Sequence, residues 1–309
     1  MIPTQKTQSR SHSRRCGFTL IELLVSIAII SILMGILLPA LGSARGQAVR
    51  IREMASAKQL MLAYSMYADD FGGSVLPGYP PTAWVEGAGR PRNHFGERID
   101  TSAEPNRSMA KRYPWRLAPY FDGDLNGLYL DLPVPDISPD STVGYDYLIS
   151  LYPSFGLNTF FVGGDSGPGQ AFNEQVVRHF GTFWVRRNHE PRRPTELIVF
   201  ASARRYAENA EAGYFGFEDP EVPGYFRVTP PRFARAAGDQ WEEAYEPTAE
   251  RSDDFGRNSG HVALRHNDKA ITAMFDGHAR SMGWGELRDM RHWADKADVP
   301  DWGLGPEGP

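Results

Sequence analysis

The run from Phe18 to Leu38 constrains this chain more than any other stretch. Apart from Glu22, each of its residues is apolar, small or hydroxylated. Its length matches the roughly 20 residues a helix needs to cross a bilayer, so it predicts a membrane helix with one acid near its start. A carboxylate near mid-bilayer costs on the order of 2.5 to 3.5 kcal/mol on insertion scales, and unpaired acids there usually mark function. A cation brought against Glu22 relieves that cost.

Residues 1–17 hold Lys6, Arg10, Arg14 and Arg15 with no acid, end in Gly17 and run directly into Phe18. A basic leader followed by Gly17, Phe18, Thr19, Leu20, Ile21 and Glu22 closely resembles the class III signal of type IV pilins and of the pseudopilins of type II secretion. The resemblance implies that a prepilin peptidase on the cytoplasmic face cuts after Gly17 and methylates the new terminus at Phe18. It also implies that Glu22 pairs with the terminal amine of a neighbouring subunit during assembly. Three plainer readings fit less well. An ordinary secretory signal has an apolar core of about 7 to 15 residues, and this run is longer and holds an acid. An uncleaved signal anchor satisfies the hydropathy and leaves Gly17 and Glu22 without a role. A lipoprotein is disfavoured because Cys16 precedes the apolar run, where a lipobox cysteine would follow it.

Composition sets the rest of the frame. With 41% hydrophobic and 23% charged residues over 309 positions, the chain is of ordinary globular type with one membrane segment. Loss of the leader takes four positive charges from a net of −5 and leaves −9. An acidic exported chain is a poor general binder of nucleic acid, so no nucleic-acid partner is expected. The Arg186-Arg187, Arg192-Arg193 and Arg204-Arg205 pairs stand among many acids and read as solvated surface. Cys16 is the only cysteine and lies in the leader, so the mature chain forms no disulfide.

Helical spacing resumes over residues 47–70, with Ala57, Leu60, Met61, Tyr64 and Ala68 on one stripe and Arg52, Glu53, Lys58 and Asp69 away from it. One long helix bent near Pro39 is therefore expected from Phe18 to about Asp70, its first half in lipid and its second on a soluble domain. The expected divisions are a cleaved leader (1–17), a transmembrane and assembly helix (18–41), its amphipathic half (42–70), an α+β periplasmic domain (71–302) and a flexible tail (303–309). Residues 74–114 read as loop with short elements, and 113–120 as a short helix docking aromatics. Strands are predicted at 143–149, 182–186, 197–201 and 225–229, with a short helix at 171–180. The runs 270–275 and 278–282, joined by Asp276-Gly277, predict a hairpin with a type I′ turn.

A second resemblance lies in that hairpin. His266, nine residues, then Asp276-Gly277 is similar to the carboxy-terminal pattern of a large group of bacterial pilin-like proteins that carry the same processing box. Ser154-Phe155-Gly156-Leu157-Asn158 and the segments Lys58-Gln59-Leu60 and Tyr67-Ala68-Asp69-Asp70 are similar to that group's interior. Leu132-Pro133 departs from it, standing where a Cys-Pro pair is expected.

Other candidate chemistry is weaker. Gly164-Asp165-Ser166-Gly167-Pro168 nearly reproduces the nucleophile segment of chymotrypsin-like proteases. Its only upstream histidines are His12 in the leader and His94 in a loop-like stretch, so Ser166 is expected in a turn. Asp122, Asp124 and Asn126, followed by Gly127, match the first half of a calcium loop, although position twelve is Pro133. The major pseudopilins are a family in which loop-bound calcium stabilises the soluble domain, so calcium is the one cofactor considered. His261, His266 and His278 lack the spacing of a helical zinc pair, and His266 is expected to bond the hairpin backbone.

The reading that joins these features is a non-enzymatic, pilin-like subunit of α+β fold, a long amino-terminal helix packed on an antiparallel sheet. It sits in the inner membrane as a single-pass protein with its carboxy-terminal domain in the periplasm. Its partners are prepilin peptidase, other pilin-like subunits, an inner-membrane assembly platform and a cytoplasmic ATPase, building a type II secretion pseudopilus or a type IV pilus-like filament. The competing readings are a membrane-tethered periplasmic hydrolase and a surface- or carbohydrate-binding minor pilin, for which Trp84, Trp241 and Trp302 are candidate exposed aromatics.

Overall fold

The structure is a computed structural model that describes residues 19–87, 91–93, 96–121, 125–130, 142–167, 171–206, 221–222, 224–235, 238, 240–247 and 255–305. The chain forms two compact units, Met1–Val49 and Arg50–Pro309, and helix α1 (Leu20–Asp70) contributes residues to both. In the first unit α1 is apolar on all sides: Leu20, Leu24, Ile27, Leu33, Ile36 and Leu38 are each at least half exposed in the single chain. The hydroxyls in this run are satisfied internally, Ser26 donating to the Glu22 carbonyl at 2.7 Å and Ser31 to the Ile27 carbonyl at 2.8 Å. That is what a helix without water around it requires. The helix continues through Pro39.

In the second unit, α1 buries Glu53, Ser56, Ala57, Leu60, Met61, Tyr64, Tyr67 and Ala68, a stripe at three- and four-residue intervals. Short helices follow at α2 (Thr82–Glu86), α3 (Asn106–Lys111), α4 (Tyr113–Leu117) and α5 (Thr142–Leu151), and later at α6 (Glu174–Phe180), α7 (Phe255–Ser259) and α8 (Trp284–Leu287). Strands are β1 (Phe155–Asn158), β2 (Ile198–Ser202), β3 (Arg205–Tyr206), β4 (Glu221–Val222), β5 (Arg227–Val228), β6 (Lys269–Met274) and β7 (Ala279–Gly283). Five of them form one sheet in the order β5-β1-β2-β6-β7, and β3 pairs with β4 alone.

The sheet is mixed. β1–β2, β2–β6 and β6–β7 are antiparallel, whereas β1 and β5 run parallel with Leu157 opposite Arg227. The wholly antiparallel expectation is corrected at that edge. β1 and β2 are buried along their whole length. On one side the Phe200 ring meets Tyr64 of α1 edge-on at 5.7 Å and Tyr113 of α4 at 5.1 Å. The Asn158 amide, also buried, donates to the carbonyls of Ile198 and Trp293, tying the carboxy-terminal segment to the sheet. Burial on both faces explains why Ile198-Val199-Phe200-Ala201 reads as a continuous apolar run.

Three local expectations are corrected. Residues 143–149 belong to a helix, α5, whose Leu148 and Leu151 are buried three residues apart and whose Asp146 carbonyl accepts the Trp115 indole N–H at 2.9 Å. Residues 182–186 make only isolated bridge contacts, Val185 with Val162, and the neighbouring Arg187 pairs with Ser74. The β6–β7 hairpin closes with a Gly277 N–H to Met274 carbonyl bond of 2.9 Å and a Met274 N–H to His278 carbonyl bond of 2.8 Å. Of its loop residues only Gly277 has positive φ, at 93°. A three-residue loop with a left-handed glycine therefore replaces the type I′ turn. The chain is also packed beyond residue 302, since Leu304 is buried and its N–H donates to the Phe233 carbonyl at 2.8 Å.

Gly156 shows how tightly the parallel edge is built. A Cβ there would lie 2.6 Å from the Arg227 carbonyl carbon. Gly156→Ala should lower stability by about 1–3 kcal/mol, the usual range for overpacking, measured as a fall in the melting temperature of the detergent-solubilised chain.

Candidate functional site

Gly17 and Phe18 lie outside the described residues. Thr19 caps α1: its main-chain N–H and its hydroxyl both donate to Glu22 Oε2, at 2.9 and 2.8 Å, and the Glu22 N–H donates to Thr19 Oγ1 at 3.2 Å. This reciprocal pair is a capping box, which satisfies donors that a helix start otherwise leaves open. The Thr-x-x-Glu spacing was legible in the chain, yet the acid's membrane position draws attention away from it. Both bonds reach Oε2, and Oε1 makes none among the described residues. Glu22 is the only acid in the first turn.

Residues 12–38 match the family model described as the prokaryotic N-terminal methylation motif. The amino terminus carries a type IV pilin-like prepilin motif. Neither the curated proteins nor the solved structures contain a match to this chain. The motif implies processing by a prepilin peptidase and assembly with other pilin-like subunits, and it points to a structural subunit rather than an enzyme. It coincides with the one helix among the described residues that is long and apolar enough to cross a membrane.

The most heavily engaged acid is a different one. Glu53, 1% exposed, presents its carboxylate to three side chains. Ser202 of β2 donates its hydroxyl to Oε1 at 2.6 Å, Arg265 approaches Oε1 at 3.2 Å, and His266 Nε2 lies 2.5 Å from Oε2. Burial by itself would raise the Glu53 carboxyl. The His266 hydrogen bond, the Arg265 charge and the Ser202 hydroxyl outweigh it and hold the group below its ordinary value. Glu53 thus belongs to the buried stripe of α1, not to its solvent face. The signal was present: Glu53 stands four residues before Ala57, on the same face, and Arg265-His266 is a pair of basic residues just before the hairpin.

This places the residues of the carboxy-terminal pattern. The His266 backbone does bond locally, exchanging hydrogen bonds with Lys269 at 3.1 and 3.2 Å, but its ring faces Glu53. Asp276 stays in the loop: its Oδ1 lies 2.6 Å from His278 Nδ1, and its N–H donates to the Pro194 carbonyl at 3.1 Å. Gly277 supplies the left-handed turn. His261 is elsewhere, its ring 4.4 Å from that of Tyr225. Burial, then Arg205 and Arg227, push its imidazole down to about 3, so it is neutral. Three histidines engaged in three different places make no zinc site, and no group of three or more metal-binding side chains occurs among the described residues.

The protease-like segment is structural. Asp165 is fully buried, accepting from the Thr159 hydroxyl at 2.7 Å and the Gly167 N–H at 2.6 Å and pairing with Arg227 at 3.2 Å. Ser166 donates its hydroxyl to the Pro80 carbonyl at 3.1 Å. Asp122 and Asp124 lie outside the described residues, and Asn126 begins a 3-10 turn, Asn126–Leu128. Of the three tryptophans expected at the surface, Trp241 is buried and stacked on Trp284 at 5.2 Å, while Trp84 and Trp302 are half-buried.

Because the Glu53 carboxyl is depressed in the folded chain, its contribution is complete above the ordinary value of 4.5 and is lost as pH falls through the lower folded value. Glu53→Gln should destabilise the chain at pH 7 by about 3 kcal/mol, the lower end for breaking a buried ion pair. Thermal melts of the two proteins should also converge as the pH is lowered through the carboxylate range.

Proposed function

We propose that the chain is a pilin or pseudopilin subunit of a type II secretion pseudopilus or a type IV pilus-like filament. In this reading it is inserted in the inner membrane with its carboxy-terminal domain in the periplasm. Prepilin peptidase cuts after Gly17 and methylates Phe18, and a separate assembly platform and ATPase draw subunits into the filament. The observation that carries the reading is the methylation motif at residues 12–38, overlapping the first part of α1, whose apolar side chains lie open on every side. Helices of this kind find company only in lipid or against other apolar helices.

Glu22 has two roles in this proposal. Oε2 caps the helix of its own chain, and Oε1 receives the freed amine of a neighbouring subunit. Such a pairing offsets the cost of holding the acid in an apolar filament core. Glu22→Val should insert normally and fail to enter filaments, scored by shear fractionation, whereas Gly17→Asp should leave a precursor whose mass includes residues 1–17. Cell-derived wild-type protein that still begins at Met1, or full incorporation of the Val variant, overturns the reading.

We also propose weak calcium binding by Asp122, Asp124 and Asn126, supported by their alternate spacing ahead of Gly127. Millimolar calcium should then raise the melting temperature and chelator should reverse the gain. A melt indifferent to both removes the proposal.

A further inference from the structure

A cleft of about 870 Å³ opens beside the carboxy-terminal segment of the second unit, far in sequence from the prepilin motif. None of the residues that line it among the described ones is acidic, although the chain carries a net charge of −5. Its basic lining comes from four separate places: His179 in the last turn of α6, Arg192, Arg235 and Lys296. Arg192 is partly offset by Asp295, which accepts its main-chain N–H at 2.6 Å and lies 4.0 Å from its Nε. Arg235 is exposed.

The remaining wall is aromatic. Trp302 is half-buried, its indole braced edge-on by Phe161 at 5.9 Å, and Phe161 in turn contacts Phe233 at 6.0 Å. Phe180 adds a second ring, set edge-on to His179 at 4.5 Å. A braced indole is a flat apolar plate of the kind on which the C–H face of a ring can rest, and guanidinium and ammonium groups around it select carboxylates. Among the described residues, the backbone of this wall is already paired with itself. Ala234 already bridges Leu304, and the Arg235 and Leu304 N–H groups donate to Leu304 and Phe233 carbonyls. The charged and aromatic side chains offer the recognition groups of this cleft, and its volume falls in the range of small-ligand sites, about 300–1,000 Å³.

We propose that this cleft binds an acidic oligosaccharide, a sugar ring stacking on Trp302 and its carboxylates meeting Arg235, Arg192 and Lys296. The site does not depend on filament assembly, so it is measured on the unassembled full chain in nanodiscs of zwitterionic lipid. Trigalacturonate should bind saturably by calorimetry, with maltotriose at least about tenfold weaker, the equivalent of one lost charge-assisted contact. Raising the salt toward about 1 M should weaken binding, because exposed charges are screened there. Arg235→Gln, at an exposed position, and Trp302→Ala should each weaken trigalacturonate by about tenfold or more, while Trp302→Phe keeps most of the affinity. Should Trp302→Ala fail to fold, Arg235→Gln and Trp302→Phe carry the test. Absence of saturable binding, affinity unmoved by Arg235→Gln, or triglutamate binding as tightly as trigalacturonate each overturns the proposal.

Discussion

The second unit depends on one buried carboxylate. An apolar stripe of alanine, leucine, methionine and tyrosine can hold a helix on a sheet, but such surfaces tolerate a shift of register. Glu53 has a single place where a hydroxyl, a guanidinium and an imidazole converge, and a displaced helix would leave that acid buried and unpaired. The three partners come from β2 and from the segment leading into β6. One side chain therefore fixes α1 against two neighbouring strands, and it explains why the chain just before the hairpin carries Arg265 and His266 together.

Around that point the unit is held by non-covalent contacts. The sole cysteine is Cys16, outside the described residues, so no covalent tie supports the sheet. Its place is taken by aromatic contacts on α1 and α4 against Phe200, by the Asn158 amide bridging β2 and the Trp293 carbonyl, and by the Asp165 turn. The segment that resembles a protease nucleophile is thereby accounted for. Its aspartate is a buried acceptor for a threonine, a glycine and an arginine, and its serine closes a loop.

Elements with strong periodicity were legible in the residues: both halves of α1, the aromatic helix at α4, β2, and the β6–β7 hairpin. The methylation motif was legible too, because its residues are contiguous. What escaped was settled by tertiary contact. Residues 143–149 combine β-branched and aromatic side chains that suit a strand, yet the helix lets Leu148 and Leu151 reach the core together. The parallel β1–β5 pair joins segments about seventy residues apart, beyond what local patterns encode. The place of Glu53 was not legible because an acid reads as solvent-facing unless its partners are known, and those lie more than two hundred residues away. Nothing in the residues around His266 names Glu53 as its partner.

The cap at the head of α1 bears on what proteolytic maturation does to this helix. In the proposed reading, a cut after Gly17 creates an ammonium one residue before Thr19 in the sequence, and the start of a helix is where backbone dipoles already concentrate positive charge. That new charge is unwelcome there, and Glu22, held in the first turn by Thr19, is the group positioned to balance it. In the proposed reading, a single acid would thus keep the end of a freshly trimmed subunit electrically quiet before it serves contact with another copy.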